Sequence, residues 1–258
     1  MKTTDALNTD RLLEALGRLD APPLGLVLDC CDSTNAEAKR RILAEGRSPA
    51  IIAANTQTSG RGRLGRSFYS PAQTGLYFSI LYPVTAPLSG VVSLTGACAV
   101  AVMRAIRGRT GIQTEIKWVN DLYLDGKKVC GILAEAVSMG DKTHLIVGIG
   151  INLSTNIFPQ ELQEKAGSLD CHNVPRAELI AEIYQNLLPF LTTPSDRSWL
   201  DDYRKHSMVI GRSIEWLCGE ERHEGIAVEI NGDGALEVRL PDGGHTLLRT
   251  GEISIKIK

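Results

Sequence analysis

The chain has no marked excess of charge of either sign. Its 28 Lys and Arg stand against 30 Asp and Glu, for a formal net charge of −2. That balance argues against a broad polyanion-binding surface, so any phosphate binding should be local. No apolar run reaches membrane-spanning length; the longest, around residues 97–103, is Ala-rich and short. The six cysteines, at 30, 31, 98, 130, 171 and 218, form no Cys-x-x-Cys pair and no Cys/His ligand spacing. Structural zinc is disfavoured, and with no signal peptide in view a reduced cytoplasmic setting is expected. Each cysteine reads as a small core residue. The five histidines have no motif around them, and no Ser/His/Asp or Cys/His pairing stands out. There is no internal repeat and no low-complexity segment. The remaining composition, 43% hydrophobic and 22% charged over 258 residues, is that of a folded globular chain with one large domain or a main and a small one.

One stretch concentrates chemistry. Gly60-Arg61-Gly62-Arg63-Leu64-Gly65-Arg66 places three glycines and three arginines in seven residues. Glycine lets backbone lie close against a ligand, and arginine offers a fork of donors suited to carboxylate and phosphate. The same composition also describes a solvated basic turn, so the loop matters only if the chain supplies something to meet it.

The rest of the chain alternates helix and strand patterns. Residues 9–19 form a short amphipathic helix with Leu12, Leu13, Leu16 and Leu19 on one side, ended by Pro22 and Pro23. A strand at 24–28 leads to Asp32-Ser33-Thr34-Asn35. Thr34 and Glu37 have capping-box spacing, opening a helix to about Glu45 with Gly46 as its stop. Ser33, Thr34 and Asn35 are either caps alone or donors converging on a small ligand. Strands follow at 51–55 and 76–82, the latter with Leu76, Phe78, Ile80 and Tyr82 on one face, then a turn marked by Pro83 and Pro87. Residues 89–107 read as an Ala-rich helix packed closely on a sheet, where loss of flexibility at Gly96 should be tolerable. Residues 112–118 alternate as a strand with Lys117 on its polar face, and Asp125-Gly126 is a hairpin signal between β-prone runs. In 143–152 one row is apolar. The other carries His144, Ile146, Gly148, Gly150 and Asn152, a row opened by two glycines as a floor for a ligand or for a packed helix. Helices are expected at 175–191 and 196–206. Beyond Gly211, five short strands with Gly-rich turns read as a small β-barrel or sandwich, with a domain boundary near residue 208.

This inventory suits electrostatic catalysis on phosphate better than proton transfer. A carboxylate attacking the α-phosphate of ATP fits it, because both reactants are anions that Lys117 and the arginine loop would neutralise. Asp32-Ser33-Thr34-Asn35, Gln57 with residues 60–66, Lys117-Trp118-Val119-Asn120-Asp121, Gly131-Ile132-Leu133-Ala134-Glu135 and Gly148-Ile149-Gly150-Ile151-Asn152 occur in that order. Together they resemble the motif series of biotin protein ligases (biotin–[acetyl-CoA-carboxylase] ligases) of the monofunctional type, over roughly residues 24–155.

The resemblance implies an α/β (α+β) fold: a mixed, largely antiparallel sheet with helices on one side, like class II aminoacyl-tRNA synthetases, plus a small C-terminal SH3-like β-barrel. The catalytic domain would span 1–208, with 1–23 a helical extension, and the small domain 209–258. It implies ATP with Mg2+ and biotin as ligands, and a biotin carboxyl carrier domain as protein partner. Ser33, Thr34, Asn35 and Gln57 would lie at the biotin end. Arg61, Gly62 and Arg63 would form a loop folding over biotin and the adenylate, disordered without ligand. Lys117 would sit between carboxylate and α-phosphate, Lys117 and Arg63 being the catalytic pair. Arg66, Phe68 and Asn152 would contact the nucleotide, with Mg2+ carried by ATP near Asn152 rather than held in a protein metal site. A homodimer follows by analogy alone. Only 32 residues precede Ser33 and they are not basic, so operator binding by an N-terminal winged helix is not expected, and neither nucleic acid nor membrane is an expected partner. Two positions depart from many members: Val119 replaces Pro, which should keep extended geometry, and Phe68 replaces Trp, which keeps an aromatic face without the indole donor. A lipoate ligase, or a non-catalytic nucleotide-binding module, are the rival readings.

Overall fold

The computed structural model describes residues 6–45, 49–84, 91–139, 142–249, 251 and 253–255. In chain order these form α1 (Thr9–Leu16), β1 (Leu24–Leu28), α2 (Thr34–Glu45), β2 (Ala50–Ala54), β3 (Gly75–Val84), α3 (Val91–Thr110), β4 (Glu115–Lys117), β5 (Asp121–Leu124), β6 (Lys127–Met139) and β7 (Lys142–Asn152). Then come α4 (Arg176–Thr192), α5 (Leu200–Lys205), β8 (Ser213–Cys218), β9 (Glu221–Ile230), β10 (Leu236–Arg239), β11 (His245–Leu248) and β12 (Ile253–Ile255). The expected stop at Gly46, the Pro87 end of the turn and the first residues of the 89–107 helix lie outside the described residues.

A seven-stranded sheet runs β1-β2-β3-β7-β6-β5-β4. Only β1 and β2 pair in parallel; the other neighbours are antiparallel. The two-residue period of the long strands divides the sheet into two different faces. Leu76, Phe78, Ile80, Leu145, Val147, Ile149 and Ile151 point into the main core, where they meet Leu12 and Leu16 of α1, Ala99, Val102 and Ile106 of α3, and Leu179, Ile183 and Leu187 of α4. Each such fully buried aliphatic side chain contributes about 1.5–3 kcal/mol. Among the described helices α2 lies on the opposite face, where its Ala38 and Ile42 pack on Ile52, Leu81 and Ile146. Helices therefore lie on both faces, not one. The α2 patch is small, and it leaves the far end of that face, beyond the helix N-terminus, for other uses.

Several local readings are revised. The 112–118 strand shrinks to Glu115–Lys117, since residues 111–114 make no ladder bonds, although Thr114 is buried. The Trp118–Val119 peptide bond is cis, where an extended continuation was expected. α1 buries Leu12 and Leu16 but leaves Leu13 exposed. Gly96 is a packing requirement: a Cβ there would lie 2.6 Å from the Trp199 ring, which is itself fully buried. None of the six cysteines is in a disulfide, and Cys30 and Cys218 are exposed rather than core. The Asp125–Gly126 turn forms as expected, with φ of 51° and 76°.

The C-terminal strands form a second, all-antiparallel sheet in the order β11-β10-β9-β8-β12. Its inner residues Ile214, Ala227, Ile230, Leu236, Val238 and Ile253 join the main core through Trp199, Tyr203 and Val209. No helix among the described residues is long and apolar enough to cross a membrane.

Candidate active site

The uncovered part of the α2-side face is floored by glycine. In the ladders Lys117 pairs Asp121, Asp121 pairs Gly131, Gly131 pairs Gly150 and Gly150 pairs Tyr77. Paired residues point to the same side, so these form one transverse row. The adjacent row joins Leu133, Gly148 and Ser79. Lys117 thus shares its face with Gly131 across one intervening strand, β5, and with Gly148 and Gly150 across two, β5 and β6.

The glycines do not leave bare backbone; they admit two specific side chains. A Cβ on Gly148 would lie 2.2 Å from Asn35 Oδ1, and one on Gly150 would lie 2.5 Å from Phe68 Cε1. Gly131 also lies under the Phe68 ring. Asn35 comes from the first turn of α2 and Phe68 from the end of the Gly/Arg loop. The sequence expectation of an open floor is in this respect corrected: two of the candidate residues rest on it.

Ser33 caps α2 by accepting the Glu37 N–H at its carbonyl (2.9 Å). The expected Thr34/Glu37 capping box does not form. Glu37 instead pairs with Arg40 and Arg41 at 2.8 Å each, and Thr34 turns inward. The Thr34 N–H donates to Gln57 Oε1 at 2.8 Å, and Gln57 Nε2 donates to Ser70 Oγ at 2.8 Å. Thr34 Oγ1 lies 2.8 Å from Ser79 Oγ, and Ser79 Oγ lies 2.6 Å from Asn35 Oδ1. Asn35 Nδ2 donates to Glu135 Oε2 at 2.6 Å. Ser33, Thr34, Asn35 and Ser79 are all buried. Just upstream, the hydrogen bonds from Arg40 hold the Asp32 carboxyl well below the usual aspartate range, while burial pushes the Cys31 thiol up to about 11.

The Gly/Arg loop is a tight hairpin. Leu64 and Gly65 have φ of 55° and 74°, Gly62 N–H donates to Arg66 O at 2.7 Å, and Arg61 bridges to Ser67. Gly60 cannot be replaced without collision, because a Cβ would stand 2.4 Å from Phe68 O. Arg63 Nη1 donates to Asn120 Oδ1 at 3.2 Å, which sets the loop against the segment carrying Lys117. Arg61 and Arg66 are exposed on the outside of this hairpin. Lys117 Nζ stands 5.4 Å from the centre of the Tyr123 ring.

The Lys117 segment is held from behind by the C-terminal part of the chain. Ile116 exchanges backbone bonds with His206 and Met208, Trp118 Nε1 donates to Gly234 O at 3.0 Å, and Tyr203 Oη donates to Val119 O at 3.0 Å. Burial pushes the Tyr203 phenol far up, keeping it a neutral donor.

Asn152, buried at the end of β7, donates to Gly167 O at 2.8 Å, while its Oδ1 has no hydrogen-bond partner. Gly167 lines a cavity of about 490 Å³ shared with Lys127, Asn156, Ile157 and Phe158. Among the described residues no group of three or more His, Cys, Asp or Glu converges as a metal site. Sequence reasoning missed Ser79, Glu135, Asp121 and Lys128, the last two paired at 2.6 Å beside Gly131. A lone serine facing away from the apolar row of β3 was the available signal for Ser79. Asp121 and Glu135 stood within quoted motifs without a role.

Residues 27–152 match the model of the biotin/lipoate A/B protein ligase family. The chain is 32% identical over 236 residues to the biotin–[acetyl-CoA-carboxylase] ligase of Paracoccus denitrificans, covering 84% of this chain and 94% of that one. It is 32% identical over 230 residues to the bifunctional ligase/repressor BirA of Bacillus subtilis, covering 83% and 69%. Among solved structures, the biotin protein ligase from Aquifex aeolicus in complex with biotin and ATP superposes with a TM-score of 0.75 at 27% identity, covering 91% and 99%. The large mixed sheet and smaller antiparallel sheet are those of that fold, and the chain belongs to the biotin protein ligases of the biotin/lipoate A/B protein ligase family.

Proposed function

We propose that this chain activates biotin with MgATP and transfers it to a lysine of a biotin carboxyl carrier domain. In the first step a biotin carboxylate oxygen attacks the α-phosphorus, the α–β phosphoanhydride bond breaks, and pyrophosphate leaves. In the second, the carrier lysine ε-amine attacks the acyl carbon of biotinyl-5′-AMP. The bond to the phosphate oxygen breaks, AMP leaves, and the amine loses a proton. Neither step needs a protein nucleophile. Both need positive charge where anions meet and exclusion of water from the mixed anhydride.

The observation that carries this reading is the common face. Lys117 lies in one row with Gly131 and Gly150, under a loop that reaches that face through Phe68 and the Lys117 segment through Arg63. In this reading Ser33, Thr34, Asn35 and Gln57 hold the biotin ring end. Arg61, Gly62 and Arg63 close over the ligand, and Lys117 bridges carboxylate and α-phosphate. Arg66 and Phe68 meet the nucleotide. The unpartnered Oδ1 of Asn152 fits a contact to the nucleotide or to the hydration shell of its magnesium, which lowers the charge of the triphosphate when bound. Residues 1–208 would act as the catalytic unit, with 209–258 as an SH3-like barrel supporting it.

Lys117→Ala should lower pyrophosphate release by ~10²–10³ while changing biotin affinity little, as for loss of one placed charge stabiliser. Normal adenylate formation by that variant would remove Lys117 from the mechanism. Release of pyrophosphate with lipoate and not with biotin would reassign the substrate.

A further inference from the structure

Beneath Thr34 and Asn35 lies a chain of hydrogen bonds whose direction can be worked out. Asn35 Nδ2 faces Glu135 Oε2 at 2.6 Å and Leu133 O at 3.4 Å. A carboxylate and a carbonyl only accept, so the amide nitrogen must be on that side and Oδ1 must face Ser79. Ser79 Oγ lies 2.6 Å from Asn35 Oδ1 and 2.8 Å from Thr34 Oγ1. It has one proton. Asn35 Oδ1 cannot donate, so that proton goes to Asn35, and the Thr34 hydroxyl must donate to Ser79 Oγ. The competing acceptor for Thr34, Gln57 Oε1, is farther at 3.3 Å and already takes the Thr34 N–H. Only this arrangement puts a proton in both short contacts around Ser79, which is fully buried.

We infer that Ser79 and Glu135 are positioning residues that set the polarity of the biotin end of the site: they consume the Thr34 proton, so that Thr34 Oγ1 meets the ligand as an acceptor only. The inference rests on the proposed placement of biotin at Thr34. The ligand chemistry it fits is a ring N–H, as in a cyclic urea. A dithiolane ring has no such donor and would leave a buried oxygen unpaired, so the same device selects biotin over lipoate. Neither Ser79 nor Glu135 need touch substrate; each acts through its neighbour.

The test is a KM-against-kcat split in the pyrophosphate-release assay on the full chain. Ser79→Ala should raise KM for biotin about tenfold or more, with KM for ATP and kcat at saturating biotin within about twofold. In a Thr34→Val background the same change should add nothing to KM for biotin. Glu135→Met should behave like Ser79→Ala, whereas Glu135→Gln keeps an acceptor for Asn35 and should restore near-normal KM. If Ser79→Ala does not fold, the Glu135 pair decides. An unchanged KM for biotin, equal losses for both substrates, an undiminished effect in the Thr34→Val background, or no rescue by Gln would each overturn the inference. Failure of the wild-type chain to activate biotin at all would instead overturn the proposed function.

Discussion

Replacing the two floor glycines separately should separate the two substrates. Gly148→Ala sets a methyl group 2.2 Å from Asn35 Oδ1 and 2.8 Å from its Cγ. No side chain tolerates that approach, so Asn35 must move off Ser79 and Glu135, losing two contacts of 2.6 Å. A neutral hydrogen bond contributes about 0.5–1.5 kcal/mol and one to a charged group about 1.5–3, so about 2–4.5 kcal/mol is at stake. Relaxation and water recover part of this. The expected residue is a rise in KM for biotin of about 10- to 100-fold, equivalent to about 1.4–2.8 kcal/mol. Gly150→Ala instead strikes the Phe68 ring, at 2.5 Å from Cε1 and 2.8 Å from Cζ. If that ring packs on the purine, an aromatic contact of about 0.5–1.5 kcal/mol is disturbed, and KM for ATP should rise about threefold to tenfold. Each constant is read by pyrophosphate release at saturating co-substrate, on variants whose unfolding stays cooperative. A Gly148→Ala protein with KM for biotin within about twofold of wild type would show that Asn35 does not support biotin binding, and the reverse effects at the two glycines would exchange the roles given to Asn35 and Phe68.

Three further outcomes follow from the packing and the titrations. Gly96→Ala, which in an open helix would stabilise by about 1 kcal/mol, should here destabilise by about 1–3 kcal/mol because its methyl group meets Trp199 at 2.6 Å; urea denaturation measures it. Iodoacetamide at pH 8 should label the exposed Cys30 and Cys218 and spare Cys31, whose thiol is pushed up to about 11, as peptide mass mapping would show. Asp32 has a folded pKa below its ordinary 3.8, so its pairing with Arg40 stabilises the fold above that value and the contribution fades as pH falls. Asp32→Asn should therefore cost stability near neutral pH, and the gap to wild type should begin to narrow only as pH falls below 3.8, closing as pH passes down through the depressed folded pKa.

Where a feature depends on neighbours in sequence, it was legible. The alternation of 143–152 defined β7 and both of its faces, and the positive-φ tolerance of Asp125-Gly126 located the hairpin. The helix at 176–192 was evident from Leu179, Ile183 and Leu187 at helical spacing. What depends on partners distant in sequence was not. Ala38 and Ile42 make a narrow stripe on α2, and nothing in that stripe says which side of the sheet it covers. Thr34 and Glu37 had the spacing of a capping box, but Gln57 and Ser79 offered Thr34 better partners than its own helix. Glycines 148 and 150 signalled close approach correctly, yet only the fold reveals that Asn35 and Phe68 make it. The three ordered strands between Lys117 and Tyr77 likewise had to be paired before Lys117 and the glycine floor could be set on one face.

Biotin transfer can be read from the intact mass of an apo biotin carboxyl carrier domain incubated with this chain, biotin and MgATP. One biotinyl increment on the carrier is expected, dependent on both biotin and MgATP. An unchanged carrier mass in the complete mixture, or a lipoyl increment formed when lipoate is supplied in place of biotin, would contradict it.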